Sequence, residues 1–387
     1  MTLSAVVDTD LARSDEAGAS LGGRIRDAFD ERPDAVILFA SPRYDFPPLL
    51  EALDAACHPR ILVGSSSAGE FTSKVNGEGM ACAVALRAHE MHFAVGVGRR
   101  LGVDRPGAVQ QVVSSFAGLK RHDYAFRSAL IFADALAGHT EELVEELNVL
   151  TGGLYRFVGG GAGGDAAFQR RFVFCGTEAI PDAVVALEIL SNKPLGIGVR
   201  HGWLAGGDPL RVTEAEGMRL GSLNAVAAGD VFEEHAERTG QGFDRDEPFP
   251  FFLHNVLGIE TGAGHKLRVP LSVNADSSVQ CATEIPAGSA VRIMNVSTAA
   301  AAQAAGESAR EAVSQLDGRK PAVAIFFDCV ATRLRMGKEF GFELDAVRSA
   351  LGDTPFAGCN SIGQIARSEG QMSGFHNCTA VVCVFPE

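Results

Sequence analysis

No uninterrupted run of about 18 apolar residues, the minimum for a membrane-spanning helix, occurs in the chain. Its first residues carry Asp8, Asp10, Asp15 and Glu16 where a secretory leader would place a basic start and an apolar stretch. Both absences point to the cytoplasm and away from membranes. Positive charge is also scarce. The 34 Lys and Arg stand against 48 Asp and Glu, a formal net charge of −14, which repels a phosphate backbone and argues against nucleic acid as a partner. The eight cysteines include no pair at the two-residue spacing of a zinc or redox motif, so they read as buried thiols rather than a metal site or disulfide framework. Cys-x-x-Cys-His, the signature of covalently attached haem, does not occur either.

What is present is a large apolar fraction, 46% of 387 residues against 21% charged. That length exceeds one ordinary core and predicts two domains or a repeated architecture. Self-similarity supports the repeat. An apolar strand from Val36 to Ala40 is followed by a helical stretch through Leu49 to Cys57, then by Gly64-Ser65-Ser66-Ser67-Ala68-Gly69-Glu70 and a strand from Met80 to Leu86. A second copy runs from Leu130 to Asp134, through a helix from Thr140 to Leu150, to Gly159-Gly160-Gly161-Ala162-Gly163-Gly164-Asp165 and strands over 171–175 and 183–190. A third runs from Ala324 to Cys329, through a helix from Leu344 to Leu351, to Gly358-Cys359-Asn360-Ser361-Ile362-Gly363-Gln364 and a strand from Thr379 to Phe385. The outer glycines fall five residues apart in every copy, and a polar side chain, Glu70, Asp165 or Gln364, follows the second. Glycines at strand ends permit sharp turns and close strand packing. They also expose backbone amides, and loops on a rigid scaffold carry binding groups.

The segment from Arg200 to Ser297 differs in character. Short strand-like runs at 211–213, 267–273 and 290–294 separated by turn residues predict mainly antiparallel sheet. Helical character is expected over 225–238 and over the Ala-rich stretch 298–316. The Gly- and Pro-containing stretch 239–250 reads as a loop, and residues 1–20 as a flexible terminus.

These residues resemble a known family. Gly64 to Glu70 is similar to the signature of the FIST N-terminal domain, as are Gly198-Val199-Arg200-His201-Gly202-Trp203 and Pro209 to Gly217. The third copy, with Phe327-Asp328-Cys329, Arg333, Gly358 to Gln364 and His376-Asn377-Cys378-Thr379, resembles the FIST C-terminal domain. It departs from the family pattern in one respect, reading Gly363-Gln364-Ile365 where Gly-Glu-Ile is usual. The resemblance implies a FIST N-terminal domain over 21–225 and a FIST C-terminal domain over 226–387, in an α+β or mixed α/β architecture of helix-flanked mixed sheets. It also implies a sensor of small ligands acting through a separate partner such as a histidine kinase or a cyclic-dinucleotide enzyme. One branch of the family comprises nitric oxide sensors that bind haem b.

On this reading the ligand-binding candidates are Ser65, Ser66, Ser67, Glu70, Gly160, Asp165, Asp328, Cys329, Arg333, Asn360 and Gln364. The repeat register sets Asp328 opposite Asp134 and Arg333 opposite His139. A non-covalent haem needs an imidazole within an apolar cavity, and His201, His254 and His376 are the candidate axial ligands. The competing reading is an enzyme using Glu70, Asp165 or Asp328 as acid or base on a small metabolite. Against a hydrolase, the serine run lacks the Gly-x-Ser-x-Gly elbow. Against a phosphate loop, no Gly-Lys-Ser/Thr follows Gly159 to Gly164.

Overall fold

A computed structural model describes residues 1–138, 140–164, 170–262, 264–367 and 374–387. It has the α+β class expected from the sequence. Three units of one construction make up most of it. The first opens with strand Thr2–Thr9 and helix α1 (Ser14–Asp27), then central strand Ala35–Ala40, helix α2 (Phe46–Cys57), second strand Leu62–Ser66, a hairpin of Glu70–Thr72 and Asn76–Gly77, and returning strand Ala81–Ala88. The second repeats this order with Met91–Arg99, α3 (Arg105–Ser114), Phe126–Ala133, α4 (Thr140–Leu150), Arg156–Gly161, the hairpin Val173–Cys175 and Glu178–Ile180, and Ala183–Ser191.

The third unit is interrupted. After its opening strand Gly196–Arg200, an insertion folds into a nine-stranded sheet in which every pairing is antiparallel, as expected, and it carries α5 (Ala228–Thr239) and the short α6 (Phe249–Phe252). The unit then resumes with α7 (Thr298–Ser314), central strand Pro321–Cys329, α8 (Val330–Met336), α9 (Gly341–Leu351), second strand Phe356–Ser361, the hairpin Gln364–Arg367 and Gly374–His376, and returning strand Ala380–Pro386.

Strand exchange joins the units into a ring. Each contributes four strands to its own six-stranded sheet, in the order opening, returning, central, second, and the sheet is completed by a hairpin from another unit. The first unit's hairpin enters the third sheet, the second's enters the first, and the third's enters the second. Parallel pairing is confined to the central and second strands. A hairpin edge is thereby paired rather than left as a template for aggregation.

The faces that meet inside the ring are apolar, and three equivalent phenylalanines close its axis. Phe39, Phe132 and Phe327 have ring centroids 6.1, 5.6 and 6.3 Å apart, pair by pair. Two of these contacts are edge-on and the Phe132–Phe327 pair is tilted, all at separations in the favourable range. Behind them the first glycine of each loop serves close packing. A Cβ at Gly64, Gly159 or Gly358 would lie 1.9 Å from the carbonyl oxygen of Leu38, Ile131 or Phe326 on the facing central strand.

The structure corrects two expectations, the free terminus and the repeat register. Residues 1–20 are not a free terminus, because Thr2–Thr9 pairs in full register with Ala81–Ala88 and α1 begins at Ser14. Across the division at 225/226 the chain stays joined, since Gly196–Arg200 pairs with Ala380–Pro386. The repeat register also shifts by one. With Leu38, Ile131 and Phe326 facing the three equivalent glycines, Asp328 matches Ala133, and Cys329 matches Asp134. Arg333 cannot be set against His139, which lies outside the described residues.

Candidate functional site

The three glycine loops meet. Ser66 Oγ donates to the Gly163 carbonyl at 2.6 Å and Gly163 N–H to the Ser66 carbonyl at 2.8 Å. Ala68 N–H donates to the Asn360 carbonyl at 2.9 Å, and Asn360 N–H returns to Gly69 at 2.8 Å. Ile362 N–H donates to Gly161 and Gly161 N–H to Gly363, both at 3.0 Å. The close approach of loop to loop is why small residues recur here: a Cβ on Gly163 would lie 2.3 Å from the Ala68 nitrogen.

Above this ring lies an open cleft of about 450 Å³. Ser67, Ala68, Gly69 and Gly164 form one wall, α8 supplies Val330, Arg333 and Leu334, and Phe249 reaches in from α6 of the insertion. Arg333 Nε donates to Glu78 Oε1 at 3.1 Å, and Nη1 donates to Asn76 Oδ1 at 3.1 Å and Asn360 Oδ1 at 3.0 Å. None of the described hydrogen bonds engages Nη2. Glu78 is largely exposed, so its pairing with Arg333 is screened and weak. Phe249 and Val330 are shared with an adjoining apolar pocket of about 60 Å³ that Leu136, Val269, Leu271 and Ile362 line, with Cys329 at its wall.

The remaining candidates face elsewhere. Glu70 is fully buried, accepting from Ser67 Oγ at 2.6 Å and Met80 N–H at 2.9 Å. Gln364 repeats the arrangement in the third unit, its amide donating to Ser361 Oγ at 3.0 Å and its oxygen accepting from Thr379 N–H at 3.4 Å. Both pin their loop to the strand that follows. Burial pushes the Glu70 carboxyl up to about 7, against the opposing pull of its two donors. Ser65 and Gly160 are buried within strands, and Ser66 is spent on Gly163.

Asp328 follows the axial Phe327 and so points to the opposite face of its strand. It lines a cavity of about 10 Å³ with Glu343, Arg335, Trp203 and Cys378, on the far side from the ring axis. Burial and the neighbouring Glu343 push its carboxyl well above the usual range, and burial raises Glu343 to about 7. Asp165 lies outside the described residues.

Haem b finds no fit with the three histidines. His201 borders the 10 Å³ cavity and bonds the His265 carbonyl at 2.9 Å. His376 is buried among packed strands, where burial pulls its imidazole down to about 3. His254 is exposed, and the cleft wall contains no histidine among the described residues. No group of three or more potential metal ligands occurs among the described residues either.

Two family models match consecutive stretches, the FIST N domain over residues 34–226 and the FIST C domain over 228–367. The chain belongs to the FIST family. FIST domains are sensory modules that bind small ligands in signalling. No curated protein matches this FIST chain. Among solved structures, cyanuric acid hydrolase from A. caulinodans is 8% identical, over 100% of this chain and 99% of that one, with a TM-score of 0.32. The T. maritima protein PurL complexed with AMPPCP is 12% identical over 99% and 72%, at 0.24. Likenesses this distant bear no weight on function. No helix among the described residues of this FIST protein is long and apolar enough to cross a membrane.

Of the sequence candidates, Ser67 and Arg333 line this cleft and Asn360 bonds Arg333. Phe249, Glu78, Val330, Leu334 and the lining of the apolar pocket other than Cys329 were not among them. Phe249 carried no local signal, since its place at the cleft depends on how the insertion folds back.

Proposed function

We propose that this FIST protein senses a small anionic ligand with an apolar tail, bound in the cleft, and reports its occupancy to a separate partner such as a histidine kinase or cyclic-dinucleotide enzyme. The observation that carries the reading is the meeting of Arg333, the loop ring and Phe249 around one cleft that opens onto an apolar pocket. A guanidinium with unengaged N–H groups favours a carboxylate or similar anion through charge-assisted bonds. The pocket beside it favours a short aliphatic or aromatic tail.

A ligand touching both Arg333 and Phe249 binds the arrangement in which the insertion sits against the ring more tightly than any opened one. Such differential affinity is what shifts a conformational population. The insertion is tied to the second unit as well, through Lys266 and Arg268 paired with Glu141 on α4 at 2.8 and 3.1 Å. An enzyme using Glu70 or Asp328 is less well supported, because both carboxyls are buried and neither lines the cleft, Glu70 lying behind Ser67.

The probe is the series of straight-chain monocarboxylates from acetate to octanoate, read by thermal denaturation. At a hundred times Kd a ligand adds about 2.7 kcal/mol of stability, which raises Tm by several degrees. The rise should grow with tail length until the pocket is filled. Arg333→Ala should weaken binding by about tenfold to a hundredfold, the worth of a hydrogen bond to a charged group. If no member of the series shifts Tm, or Arg333→Ala retains the shift, the assignment of the cleft is wrong.

A further inference from the structure

The three units allow each helix pair to be compared with its equivalents. In the first, α1 and α2 touch backbone to backbone: a Cβ on Gly18 would lie 2.2 Å from the Leu49 carbonyl, and one on Gly22 would lie 2.7 Å from that of Leu53. In the third, Gly306 of α7 packs against Ala346 of α9, the Cβ position 3.4 Å from the Ala346 methyl. The second unit has no such approach. Its α3 lies on the sheet, where Gly96 and Gly98 admit the backbone at Val112 and Ala108, but its only glycine, Gly107, faces the side chain of Asp104 and not α4.

The result is a groove of about 590 Å³ between α3 and α4, lined by Arg105, Pro106, Gln110, three glutamates and the apolar pair Val149 and Leu150. Val149 is 73% exposed and Leu150 48%. The glutamates Glu142, Glu145 and Glu146 outnumber the single cation Arg105, which already pairs with Glu142 and Glu146.

We propose that this groove is the docking site for a basic amphipathic helix of a protein partner. In the other two units this position is closed by direct contact between the paired helices, and only the second unit leaves it open. The apolar pair suits the hydrophobic stripe of such a helix. The acidic rim selects Lys and Arg flanking that stripe and disfavours acidic helices. The surface is separate from the ligand cleft; only its coupling to that cleft rests on the sensor reading. α4 carries the link, since Glu141 at its start pairs with Lys266 and Arg268 of the insertion while Glu142, Glu145 and Glu146 face the groove.

The test uses the full chain and a fluorescein-labelled, 18-residue amphipathic Leu/Lys peptide, with its Leu/Glu counterpart as control, read by anisotropy. The Leu/Lys peptide is expected to bind, the Leu/Glu peptide not. The double substitution Glu145→Lys, Leu150→Ser, both at exposed positions, should weaken the Leu/Lys peptide by about tenfold or more, as loss of a charge contact and an apolar anchor predicts. Glu216→Lys, on the insertion and far in sequence, should leave it unchanged. Equal losses in the two variants would reveal attraction to net charge alone and overturn the proposal, as would equal binding of both peptides. So would a dimer in sedimentation equilibrium that the double substitution converts to a monomer, because the groove would then hold a second copy of this chain.

Discussion

The glycine loops of the first and third units occupy equivalent places, and they differ by one atom's chemistry at their ends. Glu70 accepts from Ser67 and from the N–H ahead of its returning strand; Gln364 bonds Ser361 and the equivalent N–H. The network survives the loss of the carboxylate. Charge at this position therefore contributes nothing that the loop geometry needs, and the polar residue after the second glycine reads as a loop anchor. The same comparison favours the proposed cleft above the ring, at Arg333 and Phe249, where the units are not alike.

The largest effect should come from the residues the two loops share. Gly64→Ala and Gly358→Ala each drive a methyl to 1.9 Å from a carbonyl oxygen, and Gly64 also sits at φ 149°. Substitutions that force strand backbones apart exceed the ordinary few kcal/mol of core changes. Each variant should fail to give soluble folded protein, as read by circular dichroism. Tolerance of one and not the other would break the equivalence of the loops.

Much of the ring was legible because its signals are local. An apolar run ending in a glycine loop marks central and second strands, and the even five-residue glycine spacing survived in all three copies. The insertion announced itself by short strands and turn residues. The opening strand Thr2–Thr9 did not, since it is only partly buried on its outer edge and shows no clean alternation. Strand exchange was invisible for another reason: which sheet a hairpin such as Glu70–Thr72 completes is decided by contacts nearly 290 residues distant, as in the pairing of Glu70 with Cys359. The one-residue error at Asp328 had a similar origin. Without the paired glycines, nothing in Ile-Phe-Phe-Asp-Cys tells which phenylalanine reaches the axis, and a slip of one exchanges the two faces of a strand.

A middle-sized effect distinguishes the two loops. Burial pushes the Glu70 carboxyl up to about 7 from its ordinary value of 4.5. Its favourable contribution is therefore complete below about pH 4.5 and is lost as pH rises through 7. Glu70→Gln copies the third loop into the first, so it should remove this loss and stabilise the protein at pH 8 relative to pH 5 by at most on the order of 3 kcal/mol. Gln364→Glu should introduce the same loss where none exists. Asp328 and Glu343 titrate with raised values of their own, so the measurement is the difference between variant and parent in urea unfolding at the two pH values. A Glu70→Gln protein that keeps the parent's pH slope would show that the carboxyl is ionised and paired in the fold after all.

The smallest effect tests the serine that both loops place three residues before the anchor. Ser67 Oγ donates to Glu70, and that bond holds the carboxyl pKa lower than burial alone would leave it. Ser67→Ala should cost about 1 kcal/mol at pH 8, the net worth of one such bond, and less at pH 5, where the protonated carboxyl has less need of a donor. Ser361 instead accepts from the neutral Gln364 amide and shares its one proton between the Asp328 and Gly363 carbonyls. Ser361→Ala should therefore cost a similar amount at both pH values. A pH-dependent loss in the third loop, or a pH-independent one in the first, would mean that Glu70 and Gln364 do not anchor their loops in the same way.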